Sequence, residues 1–144
     1  MPRVSYNISS LHKVENLFNL VADVESYPNF LPWCSATRII KQEEKELIAE
    51  LLIRYKFFSS SYVSKIILTP SKEIIVELVD GPFKHLYNKW EFTEQNNKSQ
   101  IEFILDFELK SPILEGVIKQ NINSYAKKML DAFIKRADAL FITK

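Results

Sequence analysis

The 144-residue sequence predicts an α+β fold, in which a curved antiparallel sheet of about seven strands wraps a long C-terminal helix. Ile101, Phe103, Leu105, Phe107 and Leu109 alternate with Glu102, Asp106 and Glu108, the pattern of a strand with one buried face. Ahead of that strand, short apolar runs are separated by polar turns, as in an antiparallel meander. Behind it, apolar pairs fall at four-residue steps from Ile113/Leu114 to Phe133/Ile134, with a gap at Asn121/Ile122, the stripe of an amphipathic helix.

Each element has its own signal. At the start, Val4, Tyr6 and Ile8 share one face of a strand over 2–8. Ser9 and Ser10 can cap a helix that carries Leu11, Val14, Leu17, Phe18 and Val21 at helical spacing. Residues 23–34 hold two prolines and three aromatics and read as one short helical turn followed by a loop. Strands are expected over 36–40, 47–57, 62–68, 74–79 and 86–92. The turns between them include Glu43-Glu44-Lys45, Pro70-Ser71-Lys72 and Asp80-Gly81-Pro82. Ser111 followed by Pro112 starts a helix over 112–140. Its step of four residues makes the apolar stripe drift by about 40° per step, which suits a helix crossing a twisted sheet.

Composition removes several function classes. With only Gly81 and Gly116, the chain has neither a dinucleotide fingerprint nor a P-loop. A net charge of +1 gives no overall field for DNA, so DNA is not an expected partner. Cys34, the single cysteine, has no internal disulfide partner. The N-terminus lacks the marks of a signal or transit peptide, and no apolar stretch approaches the roughly 18 residues that span a bilayer. One domain over 1–144 is expected, cytoplasmic and at most peripheral at the inner face of the membrane.

Two blocks carry a family resemblance. Leu20-Val21-Ala22-Asp23-Val24-Glu25-Ser26-Tyr27-Pro28-Asn29-Phe30-Leu31-Pro32-Trp33-Cys34 resembles the signature of the coenzyme Q-binding START-domain family. Leu78-Val79-Asp80-Gly81-Pro82-Phe83-Lys84-His85-Leu86, with Trp90-Glu91-Phe92, agrees with it, and Met129, Phe133, Arg136 and Ala137 add a looser third block. That family joins mitochondrial Coq-type quinone chaperones and bacterial RatA-type ribosome association toxins within the polyketide cyclase/dehydrase superfamily. Family members often have a glycine shortly before the tryptophan matched to Trp90, where this chain has Tyr87-Asn88-Lys89. The resemblance implies a helix-grip, START-like fold.

An aromatic, proline-rich loop needs somewhere to place its surface. Tyr27, Phe30, Leu31 and Trp33 therefore read either as a pocket rim or as a loop folded on its own core. Phe57, Tyr62, Phe83, Trp90, Phe103 and Phe107, with Met129 and Phe133 from the last helix, are the expected cavity wall, although core packing explains any one of them singly. The pocket is expected to be elongated and to open near 27–33 and the Gly81-Pro82-Phe83 turn. Cys34 as a nucleophile would need a base that no motif supplies, so it reads as a buried structural thiol. His85 can face a quinone carbonyl, or simply be an exposed strand residue. No catalytic residue and no metal site are assigned, because one cysteine and two distant histidines have no ligand spacing.

The leading expectation, implied by the resemblance, is a non-enzymatic chaperone or carrier that buries ubiquinone or another prenyl lipid and supports respiration, with ubiquinone as bound ligand and no required cofactor. The alternative implied by the resemblance is a RatA-type toxin that binds the large ribosomal subunit and blocks subunit association. Lys119, Lys127, Lys128, Lys135 and Arg136 on the last helix could serve that contact, though Asp131 and Asp138 interrupt them. The third is a polyketide cyclase-like enzyme, which would need acid–base residues inside the cavity.

Overall fold

The computed structural model describes residues 3–31, 33–55, 58–120 and 122–141. The strands are β1 (Arg3–Ser10), β2 (Cys34–Gln42), β3 (Glu46–Tyr55), β4 (Phe58–Thr69), β5 (Glu73–Asp80), β6 (Phe83–Gln95) and β7 (Lys98–Leu109). Helix α1 (Val14–Ala22) and a short 3-10 helix (Val24–Asn29) lie between β1 and β2, while α2 (Pro112–Lys119) and α3 (Ile122–Leu140) follow β7. The seven strands form one antiparallel sheet in the order β1-β7-β6-β5-β4-β3-β2. The first strand thus pairs with the last, and every other pairing is a hairpin between sequence neighbours, the START-like arrangement expected.

Strand alternation decides which face is buried. On the inner face, Tyr6, Phe103, Trp90, Ile74 and Leu68 form one continuous cross-strand row. Helix α1 buries Leu17, Phe18, Leu20 and Val21, and α3 buries Ala126, Leu130, Phe133 and Ala137. The two alanines lie eleven residues apart on one stripe of α3 and let its backbone come close to its neighbours.

The sequence misplaced two boundaries. Ser9 and Ser10 do not cap α1. Both remain in β1, in register with Gln100 and Ser99, because the β7 ladder takes their backbone groups first. The Ser10 hydroxyl accepts from the His12 amide at 3.1 Å, and Lys13 stands at the helix start with no side-chain cap. Leu11 consequently falls outside the helix and is 70% exposed.

The second correction concerns the expected single helix over 112–140, which is two helices. Ser111 does cap it, accepting from the Leu114 amide at 3.2 Å, with Pro112 in the first turn. However, α2 ends at Lys119 and buries none of its residues, leaving Ile113 84% exposed and Val117 52% exposed. The break coincides with Gln120-Asn121-Ile122-Asn123-Ser124, where asparagine and serine side chains compete for backbone hydrogen bonds. Against that weakness α2 sets only half-buried contacts, among them the Leu109 amide donating to Glu115 at 3.1 Å.

The C-terminal end of α3 is fastened elsewhere. His12 is buried, and its Nε2 lies 2.7 Å from Asp138 Oδ1. The Ser99 hydroxyl donates to the His12 carbonyl, and the Phe141 ring meets the imidazole edge-on.

Candidate functional site

Over β3–β6 the inner face is roofed by Met129 and Phe133 of α3 and by Tyr27, Leu31 and Trp33. A cavity of about 100 Å³ remains between floor and roof. Its floor follows the strand register. Ile66, Val76 and Asn88 form one row, Leu51 and Tyr62 a second, Cys34 and Ile53 a third. Antiparallel pairing alone brings these positions together from five strands.

The roof is built from aromatic edges. The Tyr27 ring stands edge-on to Phe133 at 5.4 Å, and its hydroxyl donates to the Val21 carbonyl. Phe30 packs on Phe133 at 5.1 Å, with the Arg136 guanidinium 5.6 Å from its ring centroid. Phe133 also meets Trp90 at 5.0 Å, so one side chain joins roof to floor.

Of the expected wall residues, Tyr27, Leu31, Trp33, Tyr62, Trp90, Met129 and Phe133 line the cavity. Phe30 lies outside the lining, packed on Tyr27 and Phe133. Phe103 is fully buried against Trp90 at 4.8 Å and is core. Phe83 is held between Tyr62 at 5.6 Å and Phe107 at 6.0 Å, so Phe83 and Phe107 make a separate cluster. Phe57 lies outside the described residues. Leu31, expected at a rim, is 5% exposed and part of the core. The Gly81-Pro82-Phe83 turn contributes no lining residue. A Cβ at Gly81 would stand 2.6 Å from the Tyr62 Cβ, so this glycine lets the turn press on β4 and seat Phe83 against Tyr62.

Sequence reasoning missed Ser64 and Asn88, two polar residues at inward positions. The signal was present. Tyr62, Ser64 and Ile66 alternate with Val63 and Lys65, which places the serine among core residues. Asn88 occupies the stretch where family members often carry a glycine. Its amide donates to the Ile104 carbonyl at 2.8 Å and its oxygen accepts from the Trp90 indole at 2.8 Å. Strand pairing there is regular, with Asn88 opposite both Val76 and Leu105.

Among the described residues, no aspartate, glutamate, lysine, arginine or histidine lines the cavity. Burial pushes the Tyr27 and Tyr62 phenols well above the usual range. Burial likewise raises Cys34, against a smaller lowering from the hydrogen bond to the Ala36 carbonyl. All three groups are therefore neutral at neutral pH. His85 sits on the outer face, 3.5 Å from Asp106. The cavity suits an uncharged apolar molecule, and its lining positions neither an acid–base pair nor an activated nucleophile.

Residues 12–134 match the family model described as polyketide cyclase / dehydrase and lipid transport. This chain belongs to that family. Among its relatives, the ribosome association toxin RatA of Rickettsia prowazekii is 38% identical over 130 residues, covering 88% of this chain and 89% of the toxin. The mitochondrial coenzyme Q-binding protein COQ10 homolog B of Xenopus laevis is 27% identical over 146 residues, covering 96% of this chain and 60% of that protein. A START superfamily protein from Mycobacterium smegmatis superposes with a TM-score of 0.82 at 17% identity, covering 96% of this chain and 99% of that one. The fold and the family expected from the sequence both hold.

Proposed function

We propose that this protein acts at the ribosome, binding the large subunit and opposing subunit association, as the RatA-type resemblance implies. The observation that carries this reading is the 38% identity to a ribosome association toxin over 89% of that protein's length. It reverses the order expected from the sequence, in which quinone binding came first. The contact surface we assign is the outer side of α3 and the end of α2, where Lys119, Lys127, Lys128 and Lys135 are exposed. Lysines there can meet phosphates without disturbing the core. Such a role needs a cytoplasmic protein, and among the described residues no helix is long and apolar enough to cross a membrane.

The test is sedimentation of purified protein with isolated large subunits. Binding is expected to be saturable and to weaken steeply between about 50 and 200 mM salt. Lys127→Glu with Lys128→Glu should weaken it at least about tenfold and flatten the salt dependence. Absence of large-subunit binding at low salt would overturn the proposal.

A second reading rests on the uncharged cavity. It is the holding of a neutral hydrophobic molecule, for which the COQ10 likeness suggests ubiquinone, without catalysis of the cyclase kind. The cavity and the lysine face lie on different surfaces, so the two readings do not compete for residues. Mass spectrometry of lipid retained by the native protein tests it, and a preparation free of bound lipid that also takes up none would remove it.

A further inference from the structure

We propose that Ser64 is the hydrogen-bonding anchor for the oxygen of a neutral ligand, so that the cavity accepts carbonyl- or hydroxyl-bearing apolar molecules and rejects carboxylates and phospholipids. This deepens the second reading above and rests on it.

Ser64 lies in the middle of β4, 1% exposed, between Tyr62 and Ile66 on the cavity floor. Its Oγ is the one fully buried polar side-chain atom of the lining that has no hydrogen-bond partner among the described residues. Three of the other polar lining groups are committed, while the Tyr62 phenol and the Trp33 indole line the same space. Asn88 is held by Ile104 and Trp90, the Tyr27 hydroxyl by Val21, and the Cys34 thiol by Ala36 at 3.8 Å. Burying a hydroxyl without a partner costs about 1–3 kcal/mol. A purely structural position would be served better by alanine, as at Ala49, which faces Ser64 across β3 and is fully buried.

The chemistry of the partner follows from what surrounds the hydroxyl. A serine both donates and accepts, so it can satisfy a ketone, a quinone carbonyl or an alcohol. Among the described residues no cation lines the cavity, and an unpaired carboxylate or phosphate brought into it would carry a large desolvation cost. The space of about 100 Å³ is smaller than the roughly 150 Å³ of a cavity that accommodates benzene. A ring therefore enters as Met129, an unbranched side chain on the roof, moves aside.

The experiment compares three probes of equal chain length, 2-heptanone, heptane and heptanoate, by NMR titration of the wild type, Ser64→Ala and Ser64→Thr. In the wild type, 2-heptanone should bind about threefold to tenfold tighter than heptane, as expected of one hydrogen bond, and heptanoate should not bind. Ser64→Ala should erase the ketone's advantage and leave heptane affinity unchanged, while the empty protein becomes no less stable. Ser64→Thr, which keeps the hydroxyl, should restore the preference. If ketone and alkane bind the wild type equally, the anchor is wrong and the cavity reading stands. If neither binds, both fall. If heptanoate binds as well as the ketone, the exclusion of charge is refuted.

Discussion

The two ends of the sheet's inner face are built differently. Beneath α1 and the middle of α3, Ile8, Leu17, Leu20, Ile101 and Leu130 close on each other and leave a void of about 10 Å³. Over β3–β6 the same sheet leaves about 100 Å³ and a serine hydroxyl without a partner among the described residues. Val21, Trp90 and Phe133 border both spaces and partition them. The difference teaches that one end has the density of an ordinary core, whereas the other forgoes packing that three or four more methyl groups could supply. Apolar contact is forfeited there, as a site that receives something requires.

The sharpest test of that contrast uses matched isoleucines. Ile101 is 3% exposed at the closed end and Ile66 is 4% exposed beside the cavity. Ile101→Ala should cost about 4–5 kcal/mol in urea unfolding, and Ile66→Ala about 2, because side chains already facing a void lose fewer contacts on truncation. Equal costs would mean that the cavity wall is packed as tightly as the core, and the contrast would fail.

Leu31 gives the next largest effect. The sequence left it either at a pocket rim, where a lysine would disturb binding and little else, or folded onto the core. Being buried, Leu31→Lys should instead lower stability by about 2–4 kcal/mol, since the ammonium has no partner in an apolar wall. A thermal midpoint within one or two degrees of the parent would show that this part of the roof opens freely. Phe83→Lys, outside the lining but packed on Tyr62, should disturb cavity binding less than Leu31→Lys does.

The smallest effect is a dependence on alkaline pH. Cys34, Tyr27 and Tyr62 all have raised values in the folded protein, chiefly through burial at the cavity end. For such groups the unfolded chain loses its protons first. Their contribution is fully present below the unfolded values, about 8.5 for the thiol and 10 for the phenols, and declines as pH rises through them. Stability followed from pH 7 to 11 should therefore fall, and Cys34→Ser should remove the earliest part of the decline while changing stability at pH 7 by no more than about 1 kcal/mol. A flat profile through pH 11 would show that the cavity end is wet and that these groups titrate freely.

Several elements were legible in the chain itself. Alternation in β7, the polar turns and the Ser111-Pro112 helix start are local signals, and local signals survive folding unchanged. The residues of the 27–33 segment were legible as a special surface, but its two readings were separated only by the burial of Leu31 and the placement of Tyr27 against Phe133. Ser64 and Asn88 escaped notice because a polar residue in a strand looks outward-facing until the register is known.

By itself the sequence determined the order of the elements, the antiparallel meander, the buried faces of β1 and β7 and the family, since all of these follow from periodicity, turn chemistry and recognisable blocks within the chain. Only the tertiary structure decided that β1 extends through Ser10 to pair with β7, that the last helix breaks so that α2 stands exposed while α3 roofs the sheet, and that the space between α3 and β3–β6 stays open around Ser64. The physical reason is common to all three. Each depends on contacts between residues far apart in the chain, whose energies outweigh the local preferences of capping serines and helix-forming pairs.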